Sequence, residues 1–529
     1  MDKVQGGAEE RSESYMKYGE RASEATTQRF AKNASSATSL AGWQAGVVRK
    51  PRGRYRRTSL IIIFCLSILG GIGLARVAGL QISSWFLILL IPSVLIIRRK
   101  NLAAIAVLIL LGTFLGWWRG SQQLVQLNEL KSYAYQKVTV QAVATTDAIY
   151  GNKSQLSFEA HKIQLLEPEQ KPLLGTFKLS GFGVPMVYRG DMVRVEGKLY
   201  LTRGAKQASI SYGQIERVAA GRDWLASLRR NFAAGMQSAL PEPAASLGLG
   251  LLIGQRSTLP TDVLAAMTTV GLVHIVAVSG YNVTILARAV QRLRFTRSKY
   301  QKLILALALI GTFVLITGFS ASVVRAAIVS LLSLIAWYYG RDIRPLVLIA
   351  FVAALTGLIN PLYVWSDIGW YLSFLAFCGV LIIAPLIARR LFGEKAESKP
   401  FSMLILESFS AQLMTLPLIL VIFGRFSVVS LLANILVVPL VPIAMLLSAC
   451  AGLAGMIAPT VAGWIAWPAM AILTYMVDVI KLFAAIPMAS TRLHIGWADM
   501  LLCYAVILLL ALAFGHKNNR LFKRLITQG

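Results

Sequence analysis

Charge is scarce in this chain of 529 residues: Asp, Glu, Lys and Arg make up 15% of it, against about 25% in ordinary soluble domains. With 56% hydrophobic residues, that scarcity argues against a soluble monomer. Cysteine is scarce too. Cys65, Cys378, Cys450 and Cys503 all fall inside apolar segments without paired spacing, so neither a disulfide framework nor a zinc knuckle is implied. The four histidines, His161, His274, His494 and His516, are scattered, and a membrane-embedded metallohydrolase would need clustered ligands. The chain holds no Gly-x-x-x-x-Gly-Lys-Ser/Thr phosphate loop and no Gly-x-Ser-x-Gly elbow. Neither a built-in nucleotide motor of that kind nor a serine nucleophile is therefore expected. The expectation is a protein that is not an enzyme and holds no cofactor.

What is present is a series of apolar stretches separated by short basic clusters. About 20 apolar residues span the hydrocarbon of a bilayer, so the chain reads as a polytopic α-helical membrane protein with about 10–12 membrane segments. Lys and Arg number 53 against 24 Asp and Glu, a net charge of +29. That excess is more than orientation in a membrane requires, and it suits a polyanionic partner, either nucleic acid or anionic lipid.

Residues 1–58 are polar and end in the run Arg49-Lys50-Pro51-Arg52-Gly53-Arg54-Tyr55-Arg56-Arg57. They read as a disordered basic cytoplasmic tail without a secretion signal. Residues 59–118 hold the first membrane helices, with apolar segments at 59–77, 82–97 and 102–118 and the cluster Arg98-Arg99-Lys100 between the last two. Further basic loops at Arg292–Lys302, Arg341 with Arg344, and Arg389 with Arg390 alternate with apolar segments, and a basic tail follows at 515–529. Counting basic loops as cytoplasmic puts both termini inside the cell membrane and residues 135–218 outside.

Residues 135–218 alternate polar and apolar in about five short runs broken by turn residues such as Arg189-Gly190-Asp191. The pattern suggests a small inserted β-barrel, with an OB-like extracytoplasmic domain as the leading candidate. Such barrels bind single strands through basic grooves and aromatic platforms. Lys178, Arg189, Arg194, Lys198, Arg203 and Lys206, accompanied by Phe177, Phe182, Tyr188, Tyr200 and Tyr212, are the candidate DNA-binding set. A purely structural domain remains the alternative. Residues 221–240 place Trp224, Leu225, Leu228, Phe232 and Met236 at helical spacing, the pattern of an amphipathic helix lying on the membrane surface.

Residues 241–514 form the membrane core. Its first pieces are short and interrupted at Gly254-Gln255-Arg256, Gly271 and Gly280, which suggests broken helices around a cavity. Arg325, about five residues into an apolar helix, must face a cavity or a partner, since a charge there costs roughly 2.5–3.5 kcal/mol. It either forms an ion pair with Asp262, Asp367 or Glu407, or meets passing phosphates. His274 is a hydrogen-bonded structural residue or a proton relay. Ser279 and Gly280 mark close packing or a pore lining, and Asp367 and Gln412 serve capping and interhelical bonding or line a path.

The run Gly248-Leu-Gly-Leu-Leu-Ile-Gly-Gln-Arg256-Ser-Thr-Leu-Pro260, followed by Val270-Gly-Leu-Val-His274-Ile-Val-Ala-Val-Ser279-Gly280-Tyr281-Asn282, resembles the central signature of the ComEC family of competence proteins. Three further blocks agree in order: Thr317 to Ala326, then Asn360-Pro361 with Asp367 to Phe374, then Gln412 to Leu418 with Asn434 and Pro439. The resemblance covers most of residues 59–510. It implies an inner-membrane channel that passes single-stranded DNA into the cytoplasm during natural transformation. It also implies a DNA receptor outside, a cytoplasmic ATP-driven motor or the proton gradient as energy source, and a separate nuclease. Where the family continues Ser-Gly-Leu-His, this chain has Ser279-Gly280-Tyr281-Asn282, so a histidine role does not carry over. The metal cluster of the family's C-terminal metallo-β-lactamase-like domain has no counterpart, and the chain is expected to be the channel without that hydrolase. A secondary transporter of a small or lipid-linked anion is the alternative; it predicts inverted repeats and leaves residues 135–218 unexplained.

Overall fold

A computed structural model describes residues 57–81, 102–150, 155–184, 186–201, 204–221, 224–255, 258–276, 283, 298–318, 320–341, 344–393 and 400–517. The tail before residue 57, the apolar segment at 82–97, the basic loop at 292–297 and the end after 517 lie outside the described residues.

Among the described residues, seven helices are long and apolar enough to cross a membrane: Thr58–Ala78, Lys299–Thr317, Ala321–Tyr338, Ile368–Phe392, Ser402–Phe423, Ser430–Ile457 and Ala462–Ala484. Shorter apolar helices occupy Ala244–Ile253, Thr261–Val270, Pro345–Ile359 and Trp497–Ala513. This is a multi-pass membrane architecture. The apolar stretch around Pro439 runs as helix Ser430–Val437, a 3-10 turn Val438–Leu440 and helix Val441–Ile457. The tighter turn absorbs Pro439, whose missing N–H would break an α-helix.

Local chemistry sets the ends. Ser298 caps Lys299–Thr317 in a reciprocal box with Gln301, and Gly318 closes that helix at φ 87°. Asp367 caps Ile368–Cys378 by accepting from the Gly369 amide. The helices Arg57–Ala78 and Leu102–Lys131 pack backbone to backbone through glycine. A Cβ on Gly116 would stand 2.0 Å from the Ile68 carbonyl oxygen, and one on Gly71 2.1 Å from that of Thr113, the close approach that small residues permit between membrane helices. The ten-residue helix Ala244–Ile253 buries every residue but Leu252. It is too short to span a bilayer, so protein must surround it, as expected of a broken core segment.

Leu102–Lys131 outruns its apolar stretch by more than three turns. Arg119 donates to the carbonyls of Leu358 (2.8 Å) and Ile359 (2.9 Å), where the neighbouring helix ends. Beyond it, Leu130 enters the core of the sheet domain. The extension thus ties the bundle to the sheet.

The sheet has seven strands: β1 Lys137–Ala144, β2 Ile149–Tyr150, β3 Leu156–Glu167, β4 Lys171–Leu173, β5 Phe177–Phe182, β6 Met192–Leu201 and β7 Ala208–Ala219. Pairing runs β1-β6-β7-β5-β3, and β3 pairs again with β1, so the five long strands form a circuit. All those pairings are antiparallel except β5 with β7. Period-two burial sends Val138, Val140, Phe158, Phe177, Leu179, Val193, Val195 and Ile210 inward. The intervening positions face outward.

The helix Trp224–Ala239 buries Leu225, Ala226, Gly235, Met236 and Ala239. Gly235 lies against the backbone at Gly452 and Met456, and the Phe232 ring covers Gly452. The expected surface helix is therefore fastened along the Val441–Ile457 helix by its small residues, while Trp224 stays exposed.

Candidate nucleic-acid interface and membrane path

The candidate cations of the sheet divide into two sets. Arg194 and Lys198 are exposed on the outer face of β6. Register places Lys198 beside Lys137 of β1 and Ser211 of β7, and Arg194 beside Gln141 and Glu216. Lys137 pairs with Glu196 at 2.5 Å, and that contact holds the Glu196 carboxyl below its ordinary value. Lys178 is exposed on β5, beside Glu159 of β3 and Ser209 of β7. Lys206 forms an ion pair with the same Glu159. Arg203 lies outside the described residues.

Lys206 belongs to the turn between β6 and β7, which is fastened to the bundle. Asn360 Nδ2 donates to the Ala205 carbonyl at 3.1 Å, and Ser366 Oγ to that of Gly204 at 3.1 Å. Trp365 Nε1 donates to the Ile72 carbonyl at 2.8 Å, which holds the same corner against the first helix. Between them, burial pushes the Tyr363 phenol above its ordinary value; the Asp367 carboxylate adds to the rise and the Arg325 guanidinium opposes it, while Glu159 of the sheet also contributes. Tyr363 is thus within electrostatic reach of groups in both domains.

Arg189 does not join the strand face. It lies at a second junction, where a Cβ on Gly318 would stand 3.1 Å from Arg189 Nη1 and 3.6 Å from Arg229 Nη1. Arg229 is paired with Asp147 at 3.4 Å. Arg189 Nη1 is buried there without a hydrogen bond. Two residues past that turn begins the Ala321–Tyr338 helix, which carries Arg325 on its second turn.

Arg325 is 3% exposed. Its Nη2 donates to the Gly369 carbonyl at 3.2 Å, while Nε and Nη1 are buried without hydrogen-bond partners among the described residues. The expected ion pairs do not form with Asp262, which pairs with Lys481 at 2.9 Å, or with Asp367, whose Oδ1 accepts from the Gly369 amide at 3.0 Å. A peptide unit takes the place of an acid: Asp367 holds the N–H of Gly369 and Arg325 holds its C=O. The Asp367 carboxylate offsets the guanidinium through space without bonding it, and burial works against the charge more strongly.

The other core candidates are dispersed. His274 Nδ1 is 3.0 Å from the Gly271 carbonyl, three residues back, a local contact that fits a structural histidine. Among the described residues no group of three or more His, Cys, Asp or Glu could hold a metal ion. Gln412 Nε2 on the Pro400–Phe423 helix and Asn434 Oδ1 on Ser430–Val437 are buried without hydrogen-bond partners among the described residues. Ser410 and Ser448 share that state. Arg256, Ser279, Gly280 and Asn282 lie outside the described residues.

Sequence reasoning missed Ser366 as a docking residue, and Tyr135 on the sheet. Their partners lie on other elements, and no local pattern marks them. The nearest signal was the Asn360-Pro361 pair, which announces a turn at the end of an apolar helix.

Comparison with known proteins adds two findings. A family model described as "Competence protein" matches residues 251–518. ComE operon protein 3 of Bacillus subtilis (strain 168) is 30% identical over 230 residues, covering 43% of this chain and 28% of that protein. The match therefore spans under a third of that relative's length. No solved structure matches.

Proposed function

The chain belongs to the competence-protein family, and on that premise we propose that it takes up DNA, passing a single strand through the cell membrane to the cytoplasm. The sheet domain is OB-like in this reading: five long strands close a circuit with one parallel pairing. Lys178, Arg194 and Lys198 supply the phosphate contacts that hold a strand without regard to sequence. Both termini are cytoplasmic and the sheet is external, as the basic loops imply. A receptor outside, a cytoplasmic motor and a nuclease are supplied by other proteins, and this chain acts as conduit rather than as enzyme.

The observation that carries the reading is the junction. Arg189 Nη1 of the sheet domain lies 3.1 Å from where a Cβ on Gly318 would stand, Arg325 is on the second turn of the helix that begins at Ala321, and among the described residues each has guanidinium nitrogen buried without a hydrogen-bond partner. Cations left short of partners at the meeting of a strand-binding domain and a membrane bundle suit a passing polyanion. The test is uptake of labelled DNA in cells deleted for the gene and complemented with Arg325→Gln. Parental abundance with uptake lost is the expected result. Parental abundance with parental uptake would remove Arg325 from the path, and no defect in the deletion itself would overturn the function.

A further inference from the structure

Two aromatic residues of the sheet domain hold backbone conformations that a side chain normally avoids. Tyr135, in the turn leading into β1, has φ 66°, and Tyr212, in β7, has φ 56°. Both lie in the left-handed region that glycine fills without strain. Tyr212 marks a β-bulge: Glu196 pairs with Gln214 and Lys198 with Ser211, so Tyr212 and Gly213 together oppose Gly197. Gly213 turns inward and Tyr212 outward, 75% exposed. Tyr135 is 67% exposed. Its amide donates to the Leu199 carbonyl at 2.8 Å, which fixes it beside β6 on the flank opposite β7.

Neither ring contributes to the core, so folding gives no reason to hold an aromatic in a strained position at the surface. Between them lies a cation. Lys198 Nζ is 6.0 Å from the centroid of the Tyr135 ring, and the Tyr200 ring meets Tyr135 edge-on at 5.8 Å. Lys198 pairs with Ser211, the residue before Tyr212, so exposed tyrosines stand at the two sides of its strand, with the Tyr200 ring steadying the first.

We propose that Tyr135 and Tyr212, flanking Lys198, form a platform on which bases of single-stranded nucleic acid stack, so that the strand crosses the outer face of the sheet at β6. This rests on the reading of the sheet as a strand-binding domain and assigns its base contacts. Stacking needs no sequence, because every base has a π-face, and the neighbouring lysine takes the phosphate.

The test measures affinity of the full-length protein in nanodiscs for a fluorescent oligo(dT) and for an abasic strand of equal length and charge. Tyr135→Gly and Tyr212→Gly remove each ring at a φ that glycine accepts, so the fold is preserved, and the Tyr→Phe changes keep the rings. Expected is a loss of about tenfold in oligo(dT) affinity per ring removed, parental affinity with phenylalanine, and parental affinity for the abasic strand throughout. Parental oligo(dT) affinity in the glycine variants overturns the platform, and is also what rings that anchor the domain to lipid would give. A parental protein that binds neither strand overturns the strand-binding reading itself, and the platform with it.

Discussion

In the sheet domain Lys137 meets Glu196, Lys206 meets Glu159, and Lys171 meets Glu129 of the adjoining helix, every partner still partly in water. In the bundle Arg325 is buried beside a peptide carbonyl, and Ser410, Gln412, Asn434 and Ser448 keep polar atoms without hydrogen bonds. A solvated ion pair is worth between nothing and about 1 kcal/mol, so where the sheet places a cation says little by itself. Inside the bundle the same group is costly to leave short of partners. An orphaned nitrogen there is the more informative observation, and it selects Arg325 above the exposed Lys178, Arg194 and Lys198 on the sheet.

The contrast is sharpest if the buried charge is removed altogether. Arg325→Met should raise the melting temperature of the purified protein, by up to roughly 2.5–3.5 kcal/mol in stability, the insertion cost of a central charge, while uptake is lost. A lowered melting temperature would mean that the guanidinium is compensated after all. Next in size is crowding, where the bundle has no slack. Gly116→Val drives a branched side chain into the Ile68 carbonyl, and should cost about 1–3 kcal/mol, visible as a lower level of protein in the membrane. A conservative change in the sheet should act on binding and not on folding. Replacing Lys178, Arg194 and Lys198 together with glutamine should flatten the slope of log affinity for oligo(dT) against log salt by about two units, at 0.7 per phosphate contact, with an unchanged melting temperature. Smallest is Glu196→Gln. The Lys137 contact depresses the Glu196 carboxyl, so its contribution is present above the ordinary carboxylate value near 4.3 and fades as pH falls through the lower folded value. Because the pair is exposed, melting curves of parent and variant should nearly coincide at pH 7 and converge fully in acid; a large gap would mean that sheet charges matter to folding.

Much of the bundle was legible because apolar length is nearly a sufficient signal in lipid. The apolar segments that follow the basic loops at Arg341 with Arg344 and at Arg389 with Arg390 appear as helices Pro345–Ile359 and Ser402–Phe423. The sheet was legible as alternation in short runs, but β3 runs twelve residues. Its later part pairs with β1 and with β4 in turn, and bulges there break the period. The helix beginning at Leu102 was expected to stop near Trp118 and continues to Lys131, because tertiary contacts at Arg119 and Leu130 support its polar end. Of the site, Arg325 announced itself through cost alone. Its partner did not, since the search was for an acid, and a carbonyl one helix away leaves no trace in composition. The docking of Asn360 onto Ala205 spans 155 residues and depends on two elements whose meeting no local pattern encodes.

That docking has a mechanical side. The sheet domain hangs from the bundle by its two chain connections, by the Asn360 and Ser366 hydrogen bonds to one turn, and by the arginines at Gly318. Trp365, between the two docking residues, is held by the first helix through Ile72, while Arg76 of that helix bonds its carbonyl. If the sheet holds a strand, as proposed, tension on it passes into the corner at 360–366 and from there into the glycine-packed pair of helices Arg57–Ala78 and Leu102–Lys131. Those two helices would then be the abutment, and their stiffness would set how much of each pull moves the strand and how much is lost in tilting the domain.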